Sequence, residues 1–380
     1  MVGEGETVTL YVHELAHTGV VRNTLAIAVA LRDGGQRVQI VTALPRGEAP
    51  QGVEHVSLLR GPMASRRVEQ LAVVPRLREF LKSRRPAVLI STGNHGHAAA
   101  WAAAKGLAGL KRVYRISNDL TRDMPGAPRS GPLKRFLRRR FASRLASDAD
   151  ALVLVSPSLL SDPVLANARA SGKAIVIPNG VDVAEARNRA AGPSPHSWLE
   201  GGDPALIAIG RLAPQKNFPT LLRAVAQVNQ ARAVRLIILG ESRDRSRAEL
   251  QAQADALGIG ERLLLPGTTD NVFAWLARAD LFVLPSWWEG SPNVLLEAIA
   301  VRVPVAASRT AGNAAEIIGT DYGRLFDPAD VGEMAAAISA QIDPATRIEP
   351  GDRASDYDLD ATLSRWRTFV DGVLRQGARA

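Results

Sequence analysis

Short apolar runs alternate along the chain with stretches of helical period. Residues 7–12, 37–42, 87–91, 112–116, 151–155 and 174–177 are runs of four to six residues rich in Val, Ile, Leu and Tyr. Such runs mark strands covered on both faces. Residues 53–58 make a weaker strand pattern. Between them, residues 20–32, 68–82 and 132–147 carry apolar side chains at helical spacing. Leu25, Ala28 and Val29 mark the inner side of the first helix, and Gly34-Gly35 its end. Leu133, Phe136, Leu137, Phe141 and Leu145 share one face of the third, which predicts that this face packs on a sheet. The second half repeats the alternation, with strands at 205–209, 234–239, 262–265, 281–284, 303–307 and 324–326. Its helix at 218–229 places Leu221, Leu222, Val225 and Val228 inward.

This alternation predicts an α/β protein of two doubly wound Rossmann-like domains with a cleft between them. The first domain is expected over 1–185 and the second over 204–358. Residues 186–203 are rich in Gly, Pro, Ser and Asn without a period, and are read as the linker. Residues 359–380 read as a last helix, with Leu363, Trp366, Phe369, Val370 and Val373 apolar, returning to the first domain.

In open α/β sheets, ligands bind at the carboxyl ends of strands, so the loops there hold the candidate chemistry. Gly19 is a candidate for a close backbone approach to a ligand, or else a plain helix-entry residue. His95 and His97 follow the strand at 87–91, and either position an acceptor hydroxyl or cap the next helix. Arg115, Asn118 and Asp119 end the next strand. His95, Arg115, Asn118 and Asn179 are the candidate acceptor and sugar pocket. In the second half, Arg211 and Lys216 follow Gly210 in a strand-end loop and suit a diphosphate. Only six of the basic residues are lysine against 41 arginines, so a lysine at 216 is not there by composition. Gly240-Glu241 ends the next strand, where glycine admits a base or ribose.

The most informative stretch is Glu289-Gly290-Ser291-Pro292-Asn293-Val294, with Glu297 eight residues after Glu289. Ser291 is expected to cap a helix and Pro292 to fill its first position. A helix start between two carboxylates suits a nucleotide-sugar. Its amides face the diphosphate, Glu297 the ribose and Glu289 the sugar. The plain alternative is a solvated loop glutamate and an ordinary helix glutamate.

Composition narrows the field. The 380 residues are 46% hydrophobic and 22% charged, as in soluble globular proteins. The chain lacks cysteine, which excludes disulfides and thiolate chemistry and suits the cytoplasm. No apolar run is long enough to span a bilayer, and the start lacks a signal-peptide core. The expected location is cytoplasmic. The net charge of +9 favours an anionic partner. Without a zinc spacing, P-loop or aromatic nucleic-acid motif, that partner is not expected to be nucleic acid. From Arg129 to Ser147 there are seven basic residues and no acidic one. Lys134, Arg135, Arg138 and Arg139 are read as facing an anionic membrane surface, peripherally at the inner face of the plasma membrane. The alternative is a helix that only packs on the sheet. No convincing Asp-x-Asp is present, and no metal is expected.

Ile177–Asp182, Gly210-Arg211-Leu212 with Gln215-Lys216-Asn217, Ile237–Glu241, Leu265-Pro266-Gly267 and Glu289–Glu297 stand in order. Together they resemble the retaining glycosyltransferases of family 4, which have the GT-B fold. The resemblance is specific over about residues 174–330. The Ser91–His95 loop is similar to those of bacterial surface-polysaccharide glycosyltransferases. The resemblance implies transfer of a hexose-type sugar from a nucleotide diphosphate-sugar, UDP first, to a glycan or lipid-linked acceptor. It implies that Arg211 and Lys216 neutralise the leaving diphosphate. Glu297 would hold the ribose, and Glu289 with the backbone of 291–294 the sugar and phosphate. No cofactor is required beyond that donor. Two departures stand out: a single glycine, Gly19, where the family often has a pair, and Ser117 where it often has histidine. A nucleotide-sugar epimerase or hydrolase, or a non-catalytic sugar-nucleotide-binding protein, are the alternatives.

Overall fold

The computed structural model describes residues 6–16, 18–121, 131–242 and 245–377. Arg129 of the basic run lies outside them. The chain divides into two units. Unit 1 runs to Asn179 and takes the chain back at Asp360, and unit 2 spans Gly180–Leu359.

Unit 1 contains β1 (Thr7–Val12), α1 (Gly19–Asp33), β2 (Arg37–Thr42), β3 (Glu54–Ser57), α2 (Arg66–Arg84), β4 (Val88–Ser91), α3 (His97–Ala104), β5 (Lys111–Ile116), α4 (Pro132–Asp148), β6 (Ala151–Leu154), α5 (Ala166–Ala170) and β7 (Ala174–Val176). Unit 2 contains α6 (Val183–Ala190), β8 (Ala205–Ile209), α7 (Phe218–Asn229), β9 (Arg235–Leu239), α8 (Ser246–Ala256), β10 (Leu263–Gly267), α9 (Val272–Leu276), β11 (Leu281–Leu284), α10 (Asn293–Ala300), β12 (Val305–Ser308), α11 (Ala314–Ile318), β13 (Arg324–Phe326) and α12 (Val331–Ile342). The last helix is α13 (Leu359–Gly377).

The sheet of unit 1 is parallel, in the order β3-β2-β1-β4-β5-β6-β7. The sheet of unit 2 is parallel, in the order β10-β9-β8-β11-β12-β13. In each the order reverses beside the first strand, which opens a crevice at the carboxyl ends of β1 and β4, and of β8 and β11.

The inner strands are mostly apolar because helices cover both faces, whereas the edge strand β3 (Glu54–Ser57) has no buried residue. In unit 1, one face packs Leu10, Ile40, Ile90 and Val153 against Ile27 and Leu31 of α1 and Trp366 and Val370 of α13. The other packs Tyr11, Leu89, Tyr114 and Leu152 against Val73 and Leu77 of α2, Ala99 of α3 and Leu145 of α4. In unit 2, Ile207, Ile237 and Phe282 meet Leu295 and Ile299 of α10. On the opposite face, Leu206, Ile238 and Val283 meet Leu221 and Val225 of α7 and Ile338 of α12.

Two readings of the sequence are corrected here. The 186–203 segment is not a free linker. Ala186 is buried in the core of unit 2, Arg187 Nε donates to Ala300 O at 3.1 Å, and Asn271 Nδ2 donates to Arg189 O at 2.8 Å. The chain enters unit 2 at Gly180 instead, and its Gly/Pro/Ser content serves turns stapled to that unit. The apolar stripe of α4 is also not wholly inward. Ala142, Leu145 and Ala146 are buried, but Leu133, Phe136 and Leu137 are 69%, 58% and 54% exposed. The first two turns of the helix stand clear of the sheet, so the same stripe runs off the core into solvent.

Candidate active site

In unit 2 three loops at the carboxyl edge are zipped together. Gly210 N donates to Leu239 O (2.8 Å), Gly240 N to Gly267 O (2.7 Å) and Leu212 N to Glu241 O (2.9 Å). A Cβ on Gly240 would lie 1.9 Å from Gly210 O, and one on Gly210 would lie 2.5 Å from Lys216 Cε. Glycine is needed at both for close approach.

Lys216 closes a short turn, Pro214–Lys216. Asn217 follows in the left-handed conformation (φ 56°), which asparagine tolerates better than most residues. Its Nδ2 donates to Pro285 O (3.1 Å) and Pro328 O (2.8 Å). Gln215 Nε2 donates to Trp288 O (2.9 Å), and Gln215 O accepts Trp287 N (2.9 Å). These bonds lock the loop after β8 to the loop after β11. They bring Lys216 Nζ to 2.6 Å from Glu289 Oε1, with both side chains largely buried. The guanidinium of Arg211 is exposed and pairs with no other group among the described residues.

The helix after Glu289 begins one residue later than expected. Pro292 flanks α10 and Asn293 opens it, with no side-chain cap. Ser291 is therefore not the cap. Proline has no N–H to lose at this place, and the positive end of the helix remains suited to an anion. Gly290, Ser291, Pro292, Asn293 and Val294 form this approach, and Glu297, one turn on, is buried. The Glu289 loop is braced by a backbone bridge to Ala311 and by Thr310 Oγ1 donating to Trp287 O at 2.7 Å. A Cβ on Gly312 would meet Gly290 O at 2.2 Å. The sequence reading missed Thr310 and Gly312; a glycine shortly after a strand was the only signal.

A cavity of about 370 Å³ opens beside Gly240, lined by Leu212, Ile238, Glu241, Ser242, Arg247, Leu265, Gly267 and Thr268. Apolar side chains (Leu212, Ile238, Leu265) alternate in its walls with polar ones (Glu241, Ser242, Arg247, Thr268), a mixture that suits a nucleoside. Arg247 and Thr268 carried no motif and were also missed.

At the carboxyl edge of unit 1, Asn94 ties two loops together. Its Nδ2 donates to Asn118 O (3.0 Å), and its Oδ1 accepts Ser117 N (3.0 Å). His95 is exposed, and its carbonyl accepts Gln70 Nε2 at 2.6 Å. His95 and Asn118 thus come together. Arg115 and Asn179 do not open to an acceptor. Arg115 is 2% exposed and donates to Asn179 Oδ1 (2.6 Å) and Thr92 O (3.4 Å). Its side chain leaves a central strand into the layer between sheet and helix, and burial pushes its pKa down to about 10. His97 is also internal. Its Nδ1 lies 2.7 Å from Ser91 Oγ, and burial pushes its pKa down to about 3, so the ring stays neutral. Gly19 opens α1 behind Thr18, whose hydroxyl accepts Val21 N at 3.3 Å.

One pair at this edge escaped the sequence reading. His13 Nε2 lies 2.9 Å from Glu69 Oε2, with side chains 7% and 8% exposed. Glu69 Oε1 accepts Met63 N at 3.0 Å. Burial alone raises the Glu69 pKa. The Met63 amide, His13 and Arg66 outweigh it and leave the net value below the ordinary 4.5. A lowered carboxylate pKa stabilises the fold above the unfolded value, and that contribution is lost as pH falls through the folded one. Glu69→Gln should therefore lower stability by about 1–3 kcal/mol at neutral pH, and the deficit should shrink in acid. Denaturant titrations at pH 7 and below pH 4 measure this; a deficit independent of pH would exclude the ionised Glu69 carboxylate as its source.

Comparison with known proteins gives this geometry a family. A model described as "Glycosyl transferases group 1" matches residues 203–343, and one described as "Glycosyl transferase 4-like domain" matches residues 18–180. By these two models together the chain belongs to the glycosyl transferases. Among its relatives is the Vi polysaccharide biosynthesis protein VipC/TviE of Salmonella typhi, 34% identical over 131 residues, covering 34% of this chain and 22% of that protein. Another is the UDP-Gal:alpha-D-GlcNAc-diphosphoundecaprenol alpha-1,3-galactosyltransferase of Escherichia coli, 30% identical over 172 residues, covering 44% of each. The chain spans about a fifth to a half of the length of the first of these curated relatives. The fold is that of the GT-B glycosyltransferases. Sucrose-phosphate synthase from Thermosynechococcus elongatus superposes with a TM-score of 0.80 at 20% identity, over 98% of this chain and 100% of that one. Anabaena HepE in complex with UDP and glucose gives 0.74 at 18% identity, over 97% and 100%.

Proposed function

We propose that the chain is a retaining hexosyltransferase. It moves a sugar from a UDP-sugar to a hydroxyl of a glycan or lipid-linked acceptor in cell-surface polysaccharide synthesis. The observation that carries this reading is the Lys216–Glu289 pair, held at a strand switch point between the start of α10 and the cavity at Gly240. In this reading the base enters the cavity and the ribose meets Glu297. The diphosphate lies on the amides of 291–294 with Arg211 and Lys216, and Glu289 faces the sugar. The acceptor oxygen bonds to the anomeric carbon on the face that the nucleotide leaves. The bond from that carbon to the diphosphate oxygen breaks, and the acceptor proton passes to the diphosphate. Positioning and neutralisation of the leaving group supply the acceleration.

The donor base is supported by two names: UDP in the HepE structure and UDP-Gal in the Escherichia coli relative. The same relative acts on a diphosphoundecaprenol, which supports a lipid-linked acceptor here, and with it a peripheral position at the inner face of the plasma membrane. Among the described residues no helix is long and apolar enough to cross a membrane.

The test is a thermal-shift series with UDP, GDP and ADP, followed by product analysis. UDP at a hundred times its dissociation constant should add about 2.7 kcal/mol of stability, with GDP and ADP adding little. The anomer of the transferred sugar should match that of the donor by NMR. Absence of a shift with any nucleotide would sink the donor-site reading. Turnover of the nucleotide-sugar without acceptor, to an isomer or to free sugar, would favour the epimerase or hydrolase instead.

A further inference from the structure

The large apolar side chains most exposed among the described residues are confined to two stretches of unit 1. Met63, Val68 and Leu71 surround the start of α2, with Leu71 75% exposed, and Leu133, Phe136 and Leu137 line the start of α4. Among the described residues, unit 2 has none of this kind. Both helices begin at the carboxyl edge of a parallel sheet, and both cover the same face of it, since Val73, Leu77 and Leu145 share one core. Between them lies the shorter α3, reached from α4 through the edge-to-face pair Trp101–Phe141 at 5.9 Å.

A chain of hydrogen bonds joins the two stretches through the candidate acceptor loops. Gln70 Nε2 of α2 donates to His95 O (2.6 Å), Asn94 Nδ2 to Asn118 O (3.0 Å), and Arg138 of α4 to Thr121 O (2.5 Å). Arg138 is therefore half-buried against the loop, while Lys134, Arg135, Arg139 and Arg140 are exposed. Arg66 and Arg67 are exposed at the other stretch.

We propose that these two stretches are a pair of insertion points for an anionic lipid bilayer, which hold the His95 and Asn118 loops at headgroup level between them. The proposal rests on the lipid-linked acceptor proposed above. Apolar side chains rimmed by arginine and lysine match acyl chains below anionic headgroups. A second copy of the chain would bring like charge against like, so self-association through this face is disfavoured. Leu133, Phe136 and Leu137 at i, i+3 and i+4 make a stripe that can enter the interface without disturbing the fold, because the apolar core contacts of α4 begin at Phe141.

The absence of cysteine makes a clean test. Leu71→Cys, Leu137→Cys and, as control in unit 2, Asp321→Cys are labelled with a polarity-sensitive fluorophore and mixed with vesicles. Both unit 1 labels should shift to the blue with phosphatidylglycerol vesicles and not with phosphatidylcholine alone, and the control should not respond. Replacing Leu133, Phe136 and Leu137 together by serine should weaken partition by roughly tenfold or more, with the UDP thermal shift unchanged. The proposal is overturned if the label at 71 stays in water while the protein binds vesicles, since one insertion point is then enough. It is also overturned if both labels shift with protein concentration alone, which would mark a second copy, or if no vesicle binds. Loss of the UDP response in the parent chain would instead strike the donor-site reading, and the two failures are distinct.

Discussion

Lys216→Ala is expected to lower kcat by about a hundredfold or more, with a much smaller change in KM for the donor. Negative charge on the departing diphosphate grows toward the transition state, so a fixed ammonium beside it stabilises that state more than the ground state. The structure fixes the position of this ammonium. The turn that carries it is pinned through Gln215 and Asn217 to the loop of Glu289, and its stem lies against Gly210. Without a donor, Lys216 Nζ is neutralised by Glu289 at 2.6 Å, and a bound diphosphate would compete for it. Removing the lysine leaves Glu289 largely buried without this partner, so some loss of stability is also expected. A thermal melt alongside the kinetics separates the two effects. Lys216→Arg should recover only part of the rate, because a planar fork does not follow the path of a slim stem over a glycine. Near-normal turnover in Lys216→Ala would remove the leaving-group role.

Much of the fold was legible because a parallel sheet covered on both faces writes itself as short apolar runs. The strand ends were legible too, since Gly210, Gly240 and the Glu289–Glu297 spacing are local signals. Tertiary consequences of local patterns were not. The stripe of α4 has one period from Leu133 to Leu145, and nothing in that period says that its first half has no sheet beneath it. Arg115 looks like any polar residue at a strand end. Only the position of Asn179, 64 residues away, reveals that the guanidinium is used inside. The same holds for His13 and Glu69, 56 residues apart, which meet because α2 starts beside the end of β1. The 186–203 stretch misled for the opposite reason. Its composition is that of a linker, and its partners, such as Ala300 and Asn271, lie about a hundred residues on. Helix caps fall between these cases: Ser291 offered good capping chemistry, but the chain turns at Pro292 instead.

Gly240→Ala should be among the most damaging single substitutions in unit 2, and Gly210→Ala should be damaging in a different way. The added methyl at 240 would lie 1.9 Å from the carbonyl oxygen of Gly210. That obstacle is backbone, tied in turn to Leu239 and to the β9 ladder, so relief requires two loops to separate. Overpacking against an immovable neighbour costs about 3 kcal/mol or more, which is a drop in melting temperature of roughly 6–12 °C for a unit of this size. The cavity proposed for the base is lined by Gly240 itself, so the UDP shift should vanish even where the fold survives. At 210 the nearest atoms are Cε, Cδ and Nζ of Lys216, the flexible end of a side chain. That clash is cheaper to relieve, but the backbone of Gly210 (φ 157°) lies where L side chains rarely go, so the methyl costs stability here too, and the ammonium is pushed from its place beside Glu289. Gly210→Ala is therefore expected to lose some stability through backbone strain, to keep more of its UDP binding than Gly240→Ala, and to lose turnover in the manner of Lys216→Ala. Melts, UDP titrations and kinetics on the two variants distinguish these outcomes. If both keep the parent's melting temperature and rate, the close packing of the β8 and β9 loops around Lys216 is not what organises this site.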